Sequence, residues 1–311
     1  MWPALSEFCN KFLMGYNLGM ENIAKNIKIT IDNDTKNYEV NNFLKKTINL
    51  FLLPILNRLP RRLFVKSSKK AEEVHKHVTT HKALEVIYSF NHQLSFENGI
   101  LDGFFHYFWQ KTSNAKALRN RLRLAKKELE KAIHLINKKE IRILNLAAGT
   151  NRGVVEIVGI HKDKFDFKVF AVDKSEFAIE DAKKLTSIFD VAHLFNFHNE
   201  KISDFFNKNN NIKFDIIEMV GFLDYLEDKK AVDLFNKIYS ALTNNGIFIT
   251  GNIKDNQERK LITEVLGWPG LIFRHESDLL NILSASKFKL SDIEIIYEPL
   301  NIHGVIVCKK K

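Results

Sequence analysis

The chain has 311 residues, 45% of them hydrophobic, enough to bury one large core or two smaller ones. Its two cysteines, Cys9 and Cys308, stand near opposite ends, which excludes a disulfide framework and makes a reducing cytoplasm the expected compartment. The net charge is +10, and the excess falls early: residues 1–140 carry 24 Lys and Arg against 13 Asp and Glu, residues 141–311 carry 23 against 24. That asymmetry points to two regions with different duties, or to a lysine-rich drift in composition.

The first residues carry an early acid and no basic run, so no signal peptide is read there. Residues 1–30 read as an amphipathic helix with Phe8, Phe12, Leu13 and Tyr16 at helical spacing, residues 31–37 as a polar connection, and a further helix starts near residue 41. The longest apolar run, residues 48–56, contains Asn49 and Pro54 and falls short of the roughly 20 residues that span a bilayer. Pro54 and Pro60 interrupt that segment, and Arg58, Arg61, Arg62, Lys66, Lys69 and Lys70 follow. A basic segment beside a Phe/Leu-rich one either lies on an anionic membrane surface or packs as an arm with its lysines in water; packing is the preferred reading.

Residues 71–94 predict a helix carrying His75, His77 and His81. His77 and His81 are four apart, yet no third ligand stands at a metal-site spacing, and no metal is expected. Residues 99–109 are dense in aromatics, and Phe104, Phe105, Tyr107, Phe108 and Trp109 cannot all be buried on one helical face. They form either a packed hinge or the lining of an apolar acceptor pocket. Ser113 caps a long helix ending near Asn137, with Arg119, Asn120, Arg121 and Arg123 crowded on it and Arg119 and Arg123 on one face. Nucleic acid is one partner for such a cluster, although no aromatic-interleaved motif accompanies it.

From residue 141 strands and helices alternate, as in a doubly wound α/β domain. Ile141, Ile143, Leu144 and Leu146 predict a buried parallel strand; Ala147, Ala148 and Gly149 make a tight turn, and Thr150 and Asn151 cap the next helix. Backbone N–H groups pointing into such a corner bind anions or cofactors. A second strand, residues 167–173, ends on Asp173, whose carboxylate can accept both hydroxyls of a ribose lying across the sheet edge. A third strand near residues 191–195 leads to Asn196, Phe197, His198 and Asn199, and a fourth covers residues 214–220. The loop 221–228 follows at the fourth strand's carboxyl end, and residues 246–252 form the fifth. The last two apolar runs, 290–297 and 302–308, are joined too tightly for a parallel crossover and predict an antiparallel pair.

These features resemble class I S-adenosylmethionine-dependent methyltransferases over roughly residues 141–309. The family has an acid before a glycine-rich turn, an acid ending the second strand and an antiparallel final pair. Here Asn145 stands at the acid, Ala147 at the first glycine and Asn151 at the last, with Gly149 retained. The turn survives an alanine if its φ is negative. Dinucleotide dehydrogenases fit less well, since G-x-G-x-x-G is absent. The resemblance implies a seven-stranded Rossmann-like sheet with an antiparallel last strand in residues 141–311, preceded by a mainly helical region, residues 1–140.

It also implies a layout for S-adenosylmethionine. The turn, with Asn145, Ala147, Ala148, Gly149 and Arg152, would hold the methionine half, and Arg119 its carboxylate; Asp173 would hold the ribose. Asn196, Phe197 and Asn199 would approach the adenine, and Glu218, Met219 and Gly221 the methyl group. Asp224, Tyr225 and Arg274 are the catalytic candidates. The plainer roles are a helix cap for Asp173, core packing for Phe197 and a solvated loop for Asp224. No catalytic cysteine and no Asn-Pro-Pro-Tyr run is present. The expected acceptor is small or lipid-like and methylated at oxygen, its tail among the aromatics and its carboxylate on Arg119, Arg121 or Arg274. The alternatives are an RNA methyltransferase using the basic region and a catalytically degenerate scaffold. Residues 221–228, 251–252 and 273–274 also look like a bacterial group with members linked to methyl esters of hydroxy fatty acids.

Overall fold

Eight strands form one mixed sheet in the computed structural model, which describes residues 27–34, 36–41, 54 and 57–311. The helix expected over residues 1–30, the apolar segment before Pro54 and Cys9 fall wholly or largely outside the described residues. The strands are β1 (Lys28–Ile31), β2 (Glu140–Leu146), β3 (Asp166–Asp173), β4 (Phe195–Asn199), β5 (Phe214–Met219), β6 (Leu242–Ile253), β7 (Ile293–Tyr297) and β8 (His303–Lys309). Their order across the sheet is β1-β7-β8-β6-β5-β2-β3-β4. Only β8 runs against its neighbours, β6 and β7, so the expected doubly wound sheet with an antiparallel last strand is present.

The sheet has one strand more than the seven expected. Residues 28–30, read as part of a helix, pair instead in parallel with β7 from Lys28↔Glu294 to Ile31↔Tyr297. The run Lys-Ile-Thr-Ile is rich in β-branched residues, which suits an edge strand better than a helix.

Among the described residues the α-helices are α1 (Arg61–Lys66), α2 (Lys69–Lys76), α3 (His81–Tyr88), α4 (Ile100–Gln110), α5 (Ser113–Ile136), α6 (Arg152–His161), α7 (Glu176–Ile188), α8 (Ile202–Lys208), α9 (Asp228–Ala241) and α10 (Glu276–Ser284). Successive side chains of a strand point to opposite faces, and the core divides accordingly. Ile141 and Ile143 pack with Leu124, Leu129 and Ile133 of α5 and Val154 and Val158 of α6. Leu144 and Leu146 pack with Phe235 and Ile238 of α9 and Leu279 and Leu283 of α10. A smaller core gathers Phe64, Val74, Ile87 and Trp109 of the early helices against Leu261, Val265 and Trp268.

Two expectations about the early helices are corrected. The helix read over residues 71–94 breaks into α2 and α3 at Thr79, whose φ is 66°, so His77 and His81 do not share a helical face. Thr112, not Ser113, caps α5 by accepting from the Ala115 N–H, and Asn137 ends it in the left-handed conformation.

Helix α5 ties the early chain to the sheet through buried polar groups. Arg119, 4% exposed, donates from Nε to Glu39 Oε1 at 2.6 Å and from Nη2 to Glu39 Oε2 at 2.8 Å. It also donates to Gln110 Oε1 and to the Gln110 carbonyl. Asn120 and Glu39 exchange backbone bonds, the Glu39 N–H to Oδ1 and Nδ2 to the Glu39 carbonyl, both at 2.8 Å. Burial would raise the Glu39 carboxyl, but the Arg119 guanidinium outweighs it and holds the group below its ordinary range. Glu39→Gln leaves that guanidinium buried without its anion and is expected to cost about 3 kcal/mol in urea unfolding. A loss no larger than that of an ordinary surface change would show that the pair contributes nothing to stability.

Candidate active site

The strand order reverses between β2 and β5, and a cavity of about 1180 Å³ opens there at the carboxyl edge of the sheet. One wall is the turn after β2. Ala147, Gly149 and Asn151 all have left-handed φ values, 51°, 54° and 60°. The condition of a negative φ at Ala147 is therefore not met, and an alanine held there is strained by roughly 1 kcal/mol relative to glycine. Asn145 Nδ2 donates to Asn151 Oδ1 at 2.5 Å and braces the turn from beneath.

Asp173 lies beside it at the end of β3. The Gly149 N–H donates to Oδ2 at 2.9 Å and the Ser175 N–H to Oδ1 at 2.8 Å. An ionised carboxylate accepts about four hydrogen bonds, so two sites remain for a ligand in the cavity. The cap of α7 is Ser175, which accepts from the Ala178 N–H. Asp173 thus supports the turn and lines the cavity together.

Helix α3 covers the turn from the early region. His81 Nε2 lies 3.0 Å from Asp181 Oδ2, and a Cβ at Gly149 would come 3.3 Å from His81 Cβ. Glu85 accepts from Thr150 Oγ1 at 2.7 Å and is gripped by Arg152 through both Nε and Nη2. Thr150 is therefore not a helix cap, and the Asn151 side chain makes no capping bond.

The opposite wall holds a buried polar group after β5 and at the start of β8. Arg121, 3% exposed, donates from Nη2 to the Tyr88 hydroxyl at 3.1 Å, and its Nη1 stands 3.5 Å from Asp224 Oδ2. Its Nε has no partner. Asp224 Oδ1 accepts from the Ile253 N–H at 2.7 Å, and burial raises the carboxyl above its ordinary value despite Arg121. Burial pushes Glu218 up to about 8, with Arg121 opposing. Trp268 Nε1 donates to the Tyr225 hydroxyl at 2.6 Å, and burial first of all pushes that phenol up to about 12. His303, 1% exposed, has a partner on neither ring nitrogen, and burial and then Arg121 hold it neutral. Buried polar atoms are nearly always bonded, so bare nitrogens lining a cavity mark where a ligand's polar atoms belong.

Of the residues singled out from the sequence, Asn145, Ala147, Ala148, Gly149, Arg152, Asp173, Glu218, Gly221, Asp224 and Tyr225 line this cavity. The others do not. Arg119 is spent on Glu39 and Gln110, so the carboxylate role is corrected away from it. Arg274, 2% exposed, braces the loop: it donates to the Leu223 and Leu226 carbonyls, Asn252 Oδ1 and Asp228. Met219 is buried in the core. Asn196 is exposed, Asn199 donates to the Asp173 carbonyl, and Phe197 stacks on Phe195 at 5.9 Å beneath Lys183. His81, Glu85, Tyr88, Trp268 and His303 were not foreseen. A further cluster, Glu130, His134 and His161, lies between α5 and α6, where His161 Nε2 is hydrogen-bonded to Glu130 Oε1 at 2.8 Å.

The family model described as a methyltransferase domain matches residues 137–295, just over half the chain. A search of the curated proteins finds no match. Among solved structures, a "possible exported protein" from Bordetella parapertussis is similar with a TM-score of 0.61 and 12% identity, over 83% of this chain and 95% of that one. Magnesium protoporphyrin IX methyltransferase from Synechocystis PCC 6803, with bound SAH, is similar with a TM-score of 0.50 and 12% identity, over 64% of this chain and 88% of that one. At such identities the likeness is one of fold.

Two outcomes follow from this geometry. Ala147→Gly relieves the left-handed alanine and is expected to stabilise the protein by about 1 kcal/mol in chemical denaturation; a loss would show that the turn tolerates the alanine. Glu218 keeps its proton in the folded state to about pH 8, whereas the unfolded chain releases it near 4.5. Its contribution to stability therefore falls as pH rises between those values. Glu218→Gln should melt like the parent near pH 4 and progressively higher than it toward pH 8; a pH-independent difference would refute the raised carboxyl.

Proposed function

The chain belongs to the methyltransferase-domain family, and on that premise we propose that it moves the methyl group of S-adenosylmethionine to an oxygen of a small or lipid-like acceptor. The donor reading rests on the pairing of Asp173 with the left-handed Gly149 turn on one cavity wall. The residues present fit such a donor. Asp173 has acceptor capacity left for ribose hydroxyls. Ala147 to Gly149 bring backbone close to the space where the methionine half would lie, and Glu218 and Gly221 flank the opposite side. When bound, the donor supplies an already activated methyl group.

What remains for the chain is positioning, desolvation and, for a protonated acceptor, removal of a proton. Among Arg119, Arg121 and Arg274, only Arg121 lines the cavity, and its Nε–H is uncommitted. That donor suits an acceptor carboxylate. The neutral His303 imidazole offers one N–H to such an oxygen, or one lone pair to the proton of a hydroxyl. Leu84, Trp109, Leu118, Leu122, Ile262 and Leu266 supply an apolar lining for a tail. That combination of buried, unbonded polar nitrogen and apolar wall supports the acceptor class.

Thermal shift with the methyl donor, its demethylated product and nicotinamide cofactors, run side by side, tests the proposal. Donor at 100-fold its Kd should stabilise the protein by about 2.7 kcal/mol. Asp173→Ala should abolish that response. A response to NAD(H) alone would overturn the reading. Arg121→Gln should leave product binding intact and raise KM for acidic acceptors about tenfold or more; loss of product binding instead would assign the guanidinium to the donor.

A further inference from the structure

Helix α4 carries its apolar stripe on the outside. Ile100, Leu101, Phe104, Phe105 and Phe108 recur one and four residues apart and lie between 37% and 75% exposed. Phe96, on the preceding loop, extends the patch with its ring 5.7 Å from that of Phe104. The opposite side buries Gly103, Trp109 and Gln110. Rotation cannot turn the stripe inward. A Cβ at Gly103 would come 2.2 Å from the Ser95 carbonyl oxygen, and buried Gln110 donates to the Val86 carbonyl while accepting from Arg119. Isolated apolar residues are ordinary on protein surfaces, but a contiguous patch of this kind marks an interaction site.

The charge beside the patch indicates the partner. The Lys69 N–H donates to Asp102 Oδ2 at 2.6 Å, which sets the start of α2, with exposed Lys69 and Lys70, against the first turn of α4. Helix α1, with exposed Arg61, Arg62 and Lys66, packs on α2. Residues 57–76 hold seven Lys and Arg against two acids. We propose that α4 lies on an anionic lipid bilayer, its leucine and phenylalanines in the acyl boundary and the flanking basic residues on headgroup phosphates. A basic rim around an apolar helical face is the pattern of an interfacial helix. No helix among the described residues is long and apolar enough to cross a membrane. The docked helix also gives Trp109 to the cavity wall, and α1 gives Phe64, so an apolar acceptor held in the bilayer would lie near the place of reaction.

Co-sedimentation of the full chain with vesicles of phosphatidylcholine, alone or mixed with phosphatidylglycerol, tests the proposal. Binding is expected to the mixed vesicles, to fall with added salt, and to weaken about tenfold in Leu101→Glu and in Phe104→Glu. Both positions are exposed, so the variants should keep the parent's melting temperature and its response to the demethylated donor product. That response separates this surface from the donor site: its absence in the parent would count against the proposed function and leave the vesicle result to stand alone. Absence of binding to either vesicle would overturn the docking proposal. So would equal binding by parent and variants, or a concentration-dependent dimer of the parent that the same variants dissolve.

Discussion

The structure depends on one helix burying a charged edge. Lys116, Arg119, Asn120, Arg121 and Glu128 of α5 are all buried. Desolvating a guanidinium costs several kcal/mol unless geometry and hydrogen bonds offset it. Three of them accordingly reach different parts of the chain. Arg119 takes Glu39, Asn120 reaches Glu298 Oε2 in the turn between β7 and β8, and Arg121 faces Asp224 after β5. Glu298 in turn accepts from the N–H groups of Leu300, Ile302 and His303, which fixes where β8 begins. Shifting α5 by a turn would strand Arg119, Asn120 and Arg121 at once. Its register therefore sets the early segment, the final hairpin and the cavity wall together.

Arg119 and Arg121 show how structure and function divide along that edge. Two residues apart, they point to opposite sides of α5. Arg119 has its donors taken by carboxylate, amide and carbonyl oxygens. Arg121 keeps a bare Nε, its nearest carboxylate stands at 3.5 Å, and that carboxylate is itself pushed toward its neutral form. A positive charge incompletely balanced inside a cavity is poised for an anion. His303 belongs to the same surplus of unspent hydrogen-bonding capacity. By that criterion Arg274, saturated by the loop it braces, is a fixture of the fold.

The sheet was readable because buried parallel strands are mainly apolar runs with marked ends. Residues 141–146, 167–173 and 214–219 announce themselves that way, and Asp173 sits where the second run stops. Helical spacing could show that Arg119 and Arg123 share a face, but which face meets the cavity is decided by packing between distant segments. His81 and Glu85 lie more than sixty residues before the turn they cover. His303 begins an ordinary apolar strand, and nothing local distinguishes it. The φ of Ala147 is likewise imposed by the surrounding sheet and not by the residue itself. Strand β1 escaped because four residues are too few to outweigh the helical spacing of the apolar residues before them.

The position of β8 bears on how the molecule assembles. It lies between β6 and β7 although it follows both in the chain, and a five-residue connection joins it to β7. Hairpins close locally within microseconds, whereas pairings between distant residues must first overcome loop-closure entropy. The pair β7–β8 can therefore form as a unit and then dock its β8 side along the whole of Ile247–Ile253. Only then does β7 present a fixed outer edge for Lys28–Ile31, whose partners lie some 266 residues further along the chain. The first strand among the described residues joins the sheet last, and as a four-residue edge it is also where the sheet first frays.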